Sequence, residues 1–194
     1  MKDEKRSKTT EKEVKKQAED FGKYCRTVED FPKKGISFKD ITTLLLDGGA
    51  YKRSIQALAC QFAGKIDIVV CIEARGFLIG SPVAYELGVG FVPVRKKGKL
   101  PSKCVDLTYK KEYESDTIQI HEDAISKGQN VLILDDLLAT GGTVKANIDL
   151  VEKLGGKVAG IGFLVELGYL DGRKLLGDKY DVFSLIEFKT ATDI

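Results

Sequence analysis

The sequence predicts an α/β protein with a doubly wound, mainly parallel sheet. Five apolar runs have the composition of buried strands, and two segments between them carry the apolar periodicity of helices. Because strands that alternate with helices form βαβ units, these strands should lie parallel, with ligands at their carboxyl ends. A chain of 194 residues, 43% hydrophobic and 31% charged, fits one domain large enough to bury a core.

The five predicted strands are apolar enough for several of them to be buried on both faces. They are IDIVVCI (66–72), FVPV (91–94), VLIL (131–134), GIGFLV (160–165) and DVFSLIEF (181–188). One helix is predicted from an apolar stripe formed by Tyr51, Ile55, Leu58 and Phe62. A second helix is predicted from the stripe Val144, Ile148 and Val151, and it should end at Gly155-Gly156.

The first 20 residues differ in character from the rest of the chain. Residues 1–20 carry 7 basic and 6 acidic side chains and almost no apolar ones, so they cannot form a core. We interpret them as a charged, solvated N-terminal extension, with a binding arm as the alternative. Residues 21–194 form the predicted domain.

Composition also argues against several classes of partner. A net charge of only +2 makes nucleic acid an unexpected partner, although a local basic patch remains compatible with it. No apolar run approaches the ~18 residues of a membrane span, and the N-terminus lacks the apolar core of a signal peptide. We therefore expect no membrane partner and a cytoplasmic location.

The cysteines do not suggest a structural or catalytic role. Cys25, Cys60, Cys71 and Cys104 lie far apart without a C-x-x-C pair, and the chain has one histidine. Neither a zinc site nor a disulfide scaffold is supported, so we expect reduced thiols that lie mostly in the core.

The stretch VLILDDLLATGGT (131–143) predicts a binding site at the end of a strand. Small residues in the loop let the backbone N–H groups and the positive end of the next helix converge on a phosphate. Carboxylates would repel that phosphate, so Asp135 and Asp136 should instead accept hydrogen bonds from hydroxyls of the same ligand. The ligand resembles a phosphorylated sugar, and the alternative is an ordinary helix cap. The predicted phosphate-binding residues are Ala139, Thr140, Gly141, Gly142 and Thr143.

At these residues the sequence resembles the phosphoribosyltransferases, whose signature is an apolar strand, two acids and a TGGT-like loop. DDLLATGGT (135–143) is most similar to the adenine-specific branch. Further matching segments follow in the family's order: DFPKKGISFKDIT (30–42), EARGFLIG (73–80), VPVRKKGKLP (92–101), YKKEYES (109–115) and FLVEL (163–167). The resemblance implies the phosphoribosyltransferase type of sheet with a flexible catalytic loop.

The reaction implied by the resemblance is purine salvage, in which adenine and 5-phosphoribosyl-1-pyrophosphate give AMP and pyrophosphate. Mg²⁺ is the implied cofactor, bound mainly through pyrophosphate and ribose oxygens, with no metal ligand expected directly from the protein. Relatives are usually homodimers, so we expect a homodimer here. The departing pyrophosphate gains charge, so the site needs cationic clamps.

The resemblance assigns residues to each part of this substrate pair. The pyrophosphate-binding residues are Glu73, Ala74, Arg75, Arg95, Lys96 and Lys99, with Lys97 in the same basic run. The bond between Glu73 and Ala74 corresponds to a cis peptide in related enzymes. Without a phosphate site nearby, the basic run would be a solvated surface or a nucleic-acid patch.

Adenine is expected between an aromatic and an aliphatic side chain. Phe38 matches the stacking aromatic and Leu167 the apolar residue on the other face, although both types are also common in cores. Backbone groups of Ser37 and Lys39 would bind the edge of the base. Ser37 departs from the valine or isoleucine expected there.

Residues 102–116 form a polar stretch between predicted strands, long enough for a lid. Within it, Glu112 and Tyr113 match the family's catalytic pair, whereas Glu114 replaces the usual glycine. An exposed loop glutamate is the alternative interpretation of Glu112. His121 is more consistent with a loop or helix-start role than with catalysis.

Two alternative functions remain open on the sequence. The same fold occurs in non-enzymatic regulators that bind phosphoribosyl pyrophosphate as a signal, but these usually carry an added DNA-binding domain. A 6-oxopurine phosphoribosyltransferase is the other alternative, and its usual acid-acid loop and lysine partner are not evident here.

Overall fold

The computed structural model describes residues 21–110 and 115–193 of the chain. The charged extension at residues 1–20 lies outside them. In the described part, two sheets are formed. The smaller one pairs β1 (Arg26–Val28) with β2 (Phe38–Asp40) in antiparallel fashion.

The larger sheet has seven strands in the order β5-β6-β4-β3-β7-β8-β9. Its strands are β3 (Ile68–Ile72), β4 (Gly90–Lys96), β5 (Cys104–Lys110), β6 (Ser115–His121), β7 (Asn130–Leu138), β8 (Lys157–Leu167) and β9 (Val182–Phe188). Five neighbouring strands pair in parallel, in the order β4, β3, β7, β8 and β9. Beside β4, the strands β6 and β5 add an antiparallel hairpin. The predicted mainly parallel sheet is therefore confirmed.

Helices lie on both faces of this sheet, as a doubly wound fold requires. They are α1 (Thr42–Leu46), α2 (Gly48–Phe62), α3 (Arg75–Leu87), α4 (Gly142–Lys153) and α5 (Gly172–Leu176). Buried residues of α2 and α3 belong to one core cluster, and those of α4 belong to a second. None of the helices in the described ranges has the length and hydropathy of a membrane span.

Most predicted elements are confirmed, and their bounds differ for physical reasons. The apolar stripe of residues 51–62 lies on α2. The predicted second helix is α4, which ends just before Gly155, and Gly155 has the left-handed backbone conformation (φ +86°). β7 continues beyond the predicted 131–134 and includes both acids. It can do so because β8 pairs alongside it as far as Leu138.

Residues 102–116 differ from the predicted polar loop. Much of this stretch is β5 and the start of β6, which form an antiparallel hairpin. Ile118 and Ile120 of β6 are fully buried and hold the hairpin on the sheet. His121 ends β6 opposite Cys104, so the prediction that it lies in a loop or at a helix start is wrong.

The cysteine prediction is only half confirmed. All four cysteines are free thiols, but only Cys25 and Cys71 are buried, whereas Cys60 is exposed. Burial raises the pKa of the Cys71 thiol well above its usual value, and the nearby Asp135 carboxyl acts in the same direction. This thiol is therefore an inert part of the core.

Candidate active site

A cavity of about 330 Å³ lies at the carboxyl ends of β3 and β7. The chain leaves β3 towards β4 on one side and leaves β7 towards β8 on the other, so the cavity lies at the topological switch point of the sheet. Its wall contains many predicted site residues: Glu73, Ala74, Arg75, Lys96, Asp135, Asp136, Ala139, Thr140, Gly141, Gly142 and Thr143. The structure thus brings the predicted ribose, phosphate and pyrophosphate groups together.

Two buried carboxyl groups lie side by side in this wall. Asp135 is 9% exposed and Asp136 is 5% exposed. An Oδ1 atom of Asp135 accepts a hydrogen bond from the Asp136 backbone N–H, at 2.8 Å. Gly76 makes room for that oxygen, because a Cβ atom at Gly76 would lie 2.7 Å from it. A small residue on α3 is therefore a condition for the position of Asp135.

The charge on this pair is costly. Burial raises the pKa of Asp135 well above its ordinary value, and the neighbouring Asp136 carboxyl raises it further. Burial also raises the pKa of Asp136, although the Arg75 guanidinium opposes that shift. Nε of Arg75 lies 2.8 Å from Oδ2 of Asp136, yet this oxygen accepts no hydrogen bond from the described residues. A carboxylate oxygen has two lone pairs, so Oδ2 of Asp136 can accept a hydrogen bond from a ligand hydroxyl while it pairs with Arg75.

The loop at residues 139–141, which together with the start of α4 is predicted to bind phosphate and is called the phosphate loop below, joins β7 to the long helix α4. Gly141 is the N-cap residue of α4, is in the left-handed conformation (φ +86°), and no side chain caps the helix. Since the first N–H groups of a helix have no partner within it, those at the start of α4 are donors at the cavity wall. The alternative of Asp and Thr side chains acting as helix caps therefore does not hold.

The segment after β3 supplies cationic and polar groups. The peptide between Glu73 and Ala74 is cis, as the resemblance implied. The Glu73 carboxylate accepts hydrogen bonds from Nη2 of Arg95 at 2.9 Å and from the Lys96 backbone N–H at 2.5 Å. Burial acts to raise the pKa of Glu73, but these two donors lower it more, so the net shift is downward. Glu73 thus fixes the position of Arg95 and Lys96, which begin the basic run at residues 95–99.

The remaining basic residues are placed less directly. In the basic run at residues 95–99, Lys96 lines the cavity, whereas Arg95 and Lys99 are not among its lining residues. Nη1 of Arg95 donates to the carbonyl oxygen of Lys99 at 3.4 Å. Lys97, counted among the cationic clamps in the sequence, instead pairs with Asp106 of β5 at 2.9 Å.

None of the predicted adenine residues is among the residues that line the cavity. The ring of Phe38 lies 5.3 Å from Cζ of Arg75 and 5.1 Å from the centroid of the Phe31 ring. Ser37 donates its hydroxyl to Glu29, at 3.2 Å. Leu167 is 8% exposed and ends β8 within a core cluster. Only Phe38 is thereby connected to the cavity, through its contact with Arg75.

The side chain of Lys39 has a structural task that the sequence did not reveal. Lys39 is 3% exposed, and its Nζ donates to the Thr27 hydroxyl and to the carbonyl oxygens of Ala191 and Asp193. It also lies over the Phe188 ring, 4.8 Å from the centroid. The ammonium group therefore ties β2 to the end of the chain, which leaves only the backbone of Lys39 for a ligand.

The predicted catalytic pair, Glu112 and Tyr113, lies outside the described residues. The strands that flank it are described. Tyr109 of β5 and Asp116 of β6 face each other in register, and both line the cavity. The Tyr109 hydroxyl lies 3.5 Å from Oγ1 of Thr143 in the phosphate loop. The described strands on either side of residues 111–114 therefore border the cavity.

Several residues of this site were missed from the sequence. Tyr109, Asp116 and Ile118 line the cavity because β5 and β6 form a hairpin there. The alternation of Val105, Leu107 and Tyr109 was an available signal for a strand. Gly76 carried no such signal, because its role depends on contact with a residue far away in sequence.

Comparison with known proteins agrees with this geometry. A family model described as a phosphoribosyl transferase domain matches residues 28–193. The chain belongs to this family. An adenine phosphoribosyltransferase of Desulfitobacterium hafniense (strain Y51) is 59% identical to it over 170 residues, covering 87% of this chain and 98% of that protein.

Solved structures of adenine phosphoribosyltransferases are similar as well. The enzyme of Thermoanaerobacter pseudethanolicus matches with a TM-score of 0.84 and 55% identity, covering 88% of this chain and 99% of that one. The enzyme of Saccharomyces cerevisiae, in complex with an imino-altritol bisphosphate and adenine, matches with a TM-score of 0.83 and 40% identity. This second match covers 88% of this chain and 98% of that one.

Proposed function

We propose that the protein is a purine salvage enzyme that converts adenine and 5-phosphoribosyl-1-pyrophosphate to AMP and pyrophosphate. The observation that carries this proposal is the convergence, in one cavity, of two buried carboxyl groups, an uncapped helix start and Arg75. The adenine phosphoribosyltransferases of Desulfitobacterium and Thermoanaerobacter support the choice of base. No observation favours a regulator or a 6-oxopurine enzyme.

Each part of the sugar phosphate has a chemically suitable group in the cavity wall. The backbone N–H groups at Ala139–Thr143 bind the 5′-phosphate, with the positive end of α4 behind them. The Asp135 and Asp136 carboxylates accept hydrogen bonds from the ribose hydroxyls, and Oδ2 of Asp136, which pairs with Arg75, has the capacity to accept one of these bonds. Arg75 and Lys96 bind the pyrophosphate, supported by Glu73, Ala74, Arg95 and Lys99.

In the reaction, a ring nitrogen of adenine forms a bond to C1′ as the bond from C1′ to the pyrophosphate oxygen breaks. The cationic side chains stabilise the charge that develops on the leaving group. Adenine stacks on Phe38, with Leu167 towards its other face and the backbone of Ser37 and Lys39 at its edge. The carboxyl group of Glu112, with Tyr113 beside it in the chain, shares or accepts the proton that the imidazole edge of adenine loses.

We propose Mg²⁺ as the cofactor. The described residues contain no cluster of three or more His, Cys, Asp or Glu side chains suited to a metal. Mg²⁺ commonly binds through one or two carboxylates together with substrate phosphates. Here Asp135 and Asp136 are assigned to the ribose hydroxyls, so the ion would be held mainly by pyrophosphate and ribose oxygens, where it would shield the pyrophosphate charge.

The activity is tested directly by incubating the protein with phosphoribosyl pyrophosphate, Mg²⁺ and one purine base at a time. Formation of AMP from adenine, dependent on Mg²⁺, supports the proposal. Faster formation of IMP from hypoxanthine or GMP from guanine would show a 6-oxopurine enzyme instead. Binding of phosphoribosyl pyrophosphate without any nucleotide product would identify a regulator.

Asparagine at either acid position should weaken substrate binding. Asp135→Asn and Asp136→Asn each replace a charged acceptor by a neutral one, and each should weaken phosphoribosyl pyrophosphate binding by about 1–3 kcal/mol. Isothermal titration calorimetry measures the loss. Wild-type affinity in both variants would exclude the ribose role.

Asp135→Asn should also stabilise the fold at neutral pH. Folding raises the pKa of Asp135 above its ordinary value of 3.8. The free energy of unfolding of the wild type therefore falls as the pH rises from that ordinary value through the raised pKa of the folded state. Asparagine does not titrate, and its amide oxygen can still accept from the Asp136 N–H. The free energy of unfolding in urea at pH 7 should therefore be higher for Asp135→Asn than for the wild type. A lower value would contradict this electrostatic account.

We further propose a cytoplasmic homodimer. Free thiols are typical of a reducing compartment. Leu46 of α1 and Leu78 and Tyr85 of α3 are 84%, 47% and 87% exposed, so apolar side chains of these helices are available for contact with a second copy. Sedimentation at micromolar concentration should show a species of twice the 21.3 kDa chain mass. A persistent 21.3 kDa species would remove the dimer.

A further inference from the structure

The phosphate loop is packed against the first residue of α5, with no side chain between the two backbones. A Cβ atom at Gly172 would overlap the carbonyl oxygen of Ala139 and would lie 3.0 Å from Cδ1 of Leu138. In the other direction, a Cβ atom at Gly141 would lie 2.7 Å from the carbonyl oxygen of Gly172. Each backbone therefore limits the position of the other.

Arg173, the next residue along the chain, anchors this contact. Its Nε donates to both carboxylate oxygens of Glu166, at 2.7 and 2.8 Å, and Glu166 is only 5% exposed. Nη1 donates to the carbonyl oxygen of Val182 at 2.7 Å, and Nη2 donates to the Ser184 hydroxyl at 3.1 Å. One guanidinium thus joins the start of α5 to two neighbouring strands, β8 and β9.

We infer that Gly172 and Arg173 are positioning residues for the sugar-phosphate substrate, acting through the backbone of the phosphate loop. Neither residue belongs to the cavity wall described above. The inference rests on the proposed function, because it assigns the 5′-phosphate to the N–H groups at Ala139–Thr143. It adds a support behind that loop which neither the sequence motif nor the cavity reveals.

The physical reason is that a backbone anion site depends on the direction of its N–H groups. Gly141 is left-handed, and the Ala139 carbonyl points at Gly172, so the two ends of the loop are held by one contact. A displacement of roughly 0.5 Å is enough to spoil a preorganised site. A methyl group at residue 172 must displace either the loop or α5, and Arg173 holds α5 in place.

The chain offers a matched control for a substitution at Gly172. Gly48 is the first residue of α2, just as Gly172 is the first residue of α5. Neither glycine has a positive φ, and a Cβ atom at Gly48 would meet nothing within 4 Å. Gly48→Ala therefore makes the same chemical change at the same helical position, without the contact to the phosphate loop.

The experiment compares Gly172→Ala with Gly48→Ala and with the wild type. Calorimetry gives the Kd of phosphoribosyl pyrophosphate with Mg²⁺, and steady-state assays give the KM of each substrate. Gly172→Ala should raise the Kd and KM of phosphoribosyl pyrophosphate about tenfold or more. The KM of adenine at saturating phosphoribosyl pyrophosphate should stay within about twofold, as should all values for Gly48→Ala.

Arg173→Gln provides a second test that does not depend on the fold tolerating a methyl group at residue 172. Its control is Lys174→Gln, because Lys174 is exposed and its ammonium group pairs with Asp171, three residues earlier on the chain. Arg173→Gln should again raise the Kd for phosphoribosyl pyrophosphate more than the KM for adenine, and Lys174→Gln should change neither.

Equal Kd values for Gly172→Ala, Gly48→Ala and the wild type would overturn the inference. A loss in urea stability for Arg173→Gln with unchanged Kd would also overturn it, since Arg173 would then only support the fold. A wild type that binds no phosphoribosyl pyrophosphate would instead remove the proposed function itself, so the two failures are distinguishable.

Discussion

Gly142→Val should abolish phosphoribosyl transfer and leave the protein folded. Gly142 begins α4 and lines the cavity, yet a Cβ atom there would meet nothing within 4 Å. The valine side chain therefore occupies space that the 5′-phosphate needs, without displacing protein atoms. We expect kcat/KM to fall at least about 10²-fold, as when a preorganised anion donor is lost. Steady-state assays with both substrates measure this change.

The unfolding free energy separates this explanation from a structural one. Valine at the start of a helix should alter stability by no more than about 1 kcal/mol. Gly48→Val is the control, since Gly48 begins α2 in equally open space away from the cavity. If calorimetry showed a large stability loss for Gly142→Val together with normal ligand affinity, the glycine would serve the helix rather than the phosphate.

The parallel part of the sheet was predictable because its strands are buried on both faces. Every residue of Val69–Ile72 in β3 and of Val131–Leu134 in β7 is buried. A strand in which consecutive residues are buried must have consecutive apolar residues. The hairpin was missed because its pattern is mixed. β5, CVDLTYK, alternates apolar with polar residues at the edge of the sheet, and none of its residues 104–109 is fully buried. In β6, SDTIQIH, only residues 118–120 are buried.

The site was predictable to the extent that its parts lie in one short segment. Asp135, Asp136 and the loop at Ala139–Gly142 follow one another in the chain, so a motif reports them together. Gly76 and Gly172 act by admitting atoms of distant residues, Asp135 and Ala139. Such roles depend on tertiary contacts, and a single sequence cannot distinguish these glycines from glycines in ordinary turns.

The same distinction explains the basic loop and the adenine residues. The run RKKGK contains four similar cations, but the structure gives them different partners: Arg95 binds Glu73, Lys97 binds Asp106, and Lys96 lines the cavity. Lys39 follows Phe38 in the chain, but its ammonium group binds the C-terminal segment. Residue type indicated the chemistry, while the direction of each side chain came only from the fold.

Glu112→Gln should lower turnover about 10²-fold or more, which is typical of removing a general acid or base. When adenine bonds to C1′ through one ring nitrogen, a proton on its imidazole edge must be shared or transferred. The resemblance to phosphoribosyltransferases assigns that proton to Glu112, which lies outside the described residues. The flanking strand residues Tyr109 and Asp116 are described, and both line the cavity.

The result should be specific to turnover and to this glutamate. Binding of phosphoribosyl pyrophosphate to Glu112→Gln should remain close to that of the wild type, because we assign the 5′-phosphate and ribose to the loop at Ala139–Thr143 and to the two acids. Glu114→Gln is the matched control, since it makes the same change two residues along the chain without a family role. If the two substitutions had equal and small effects on kcat, Glu112 would be an exposed loop glutamate and the proton would need another acceptor.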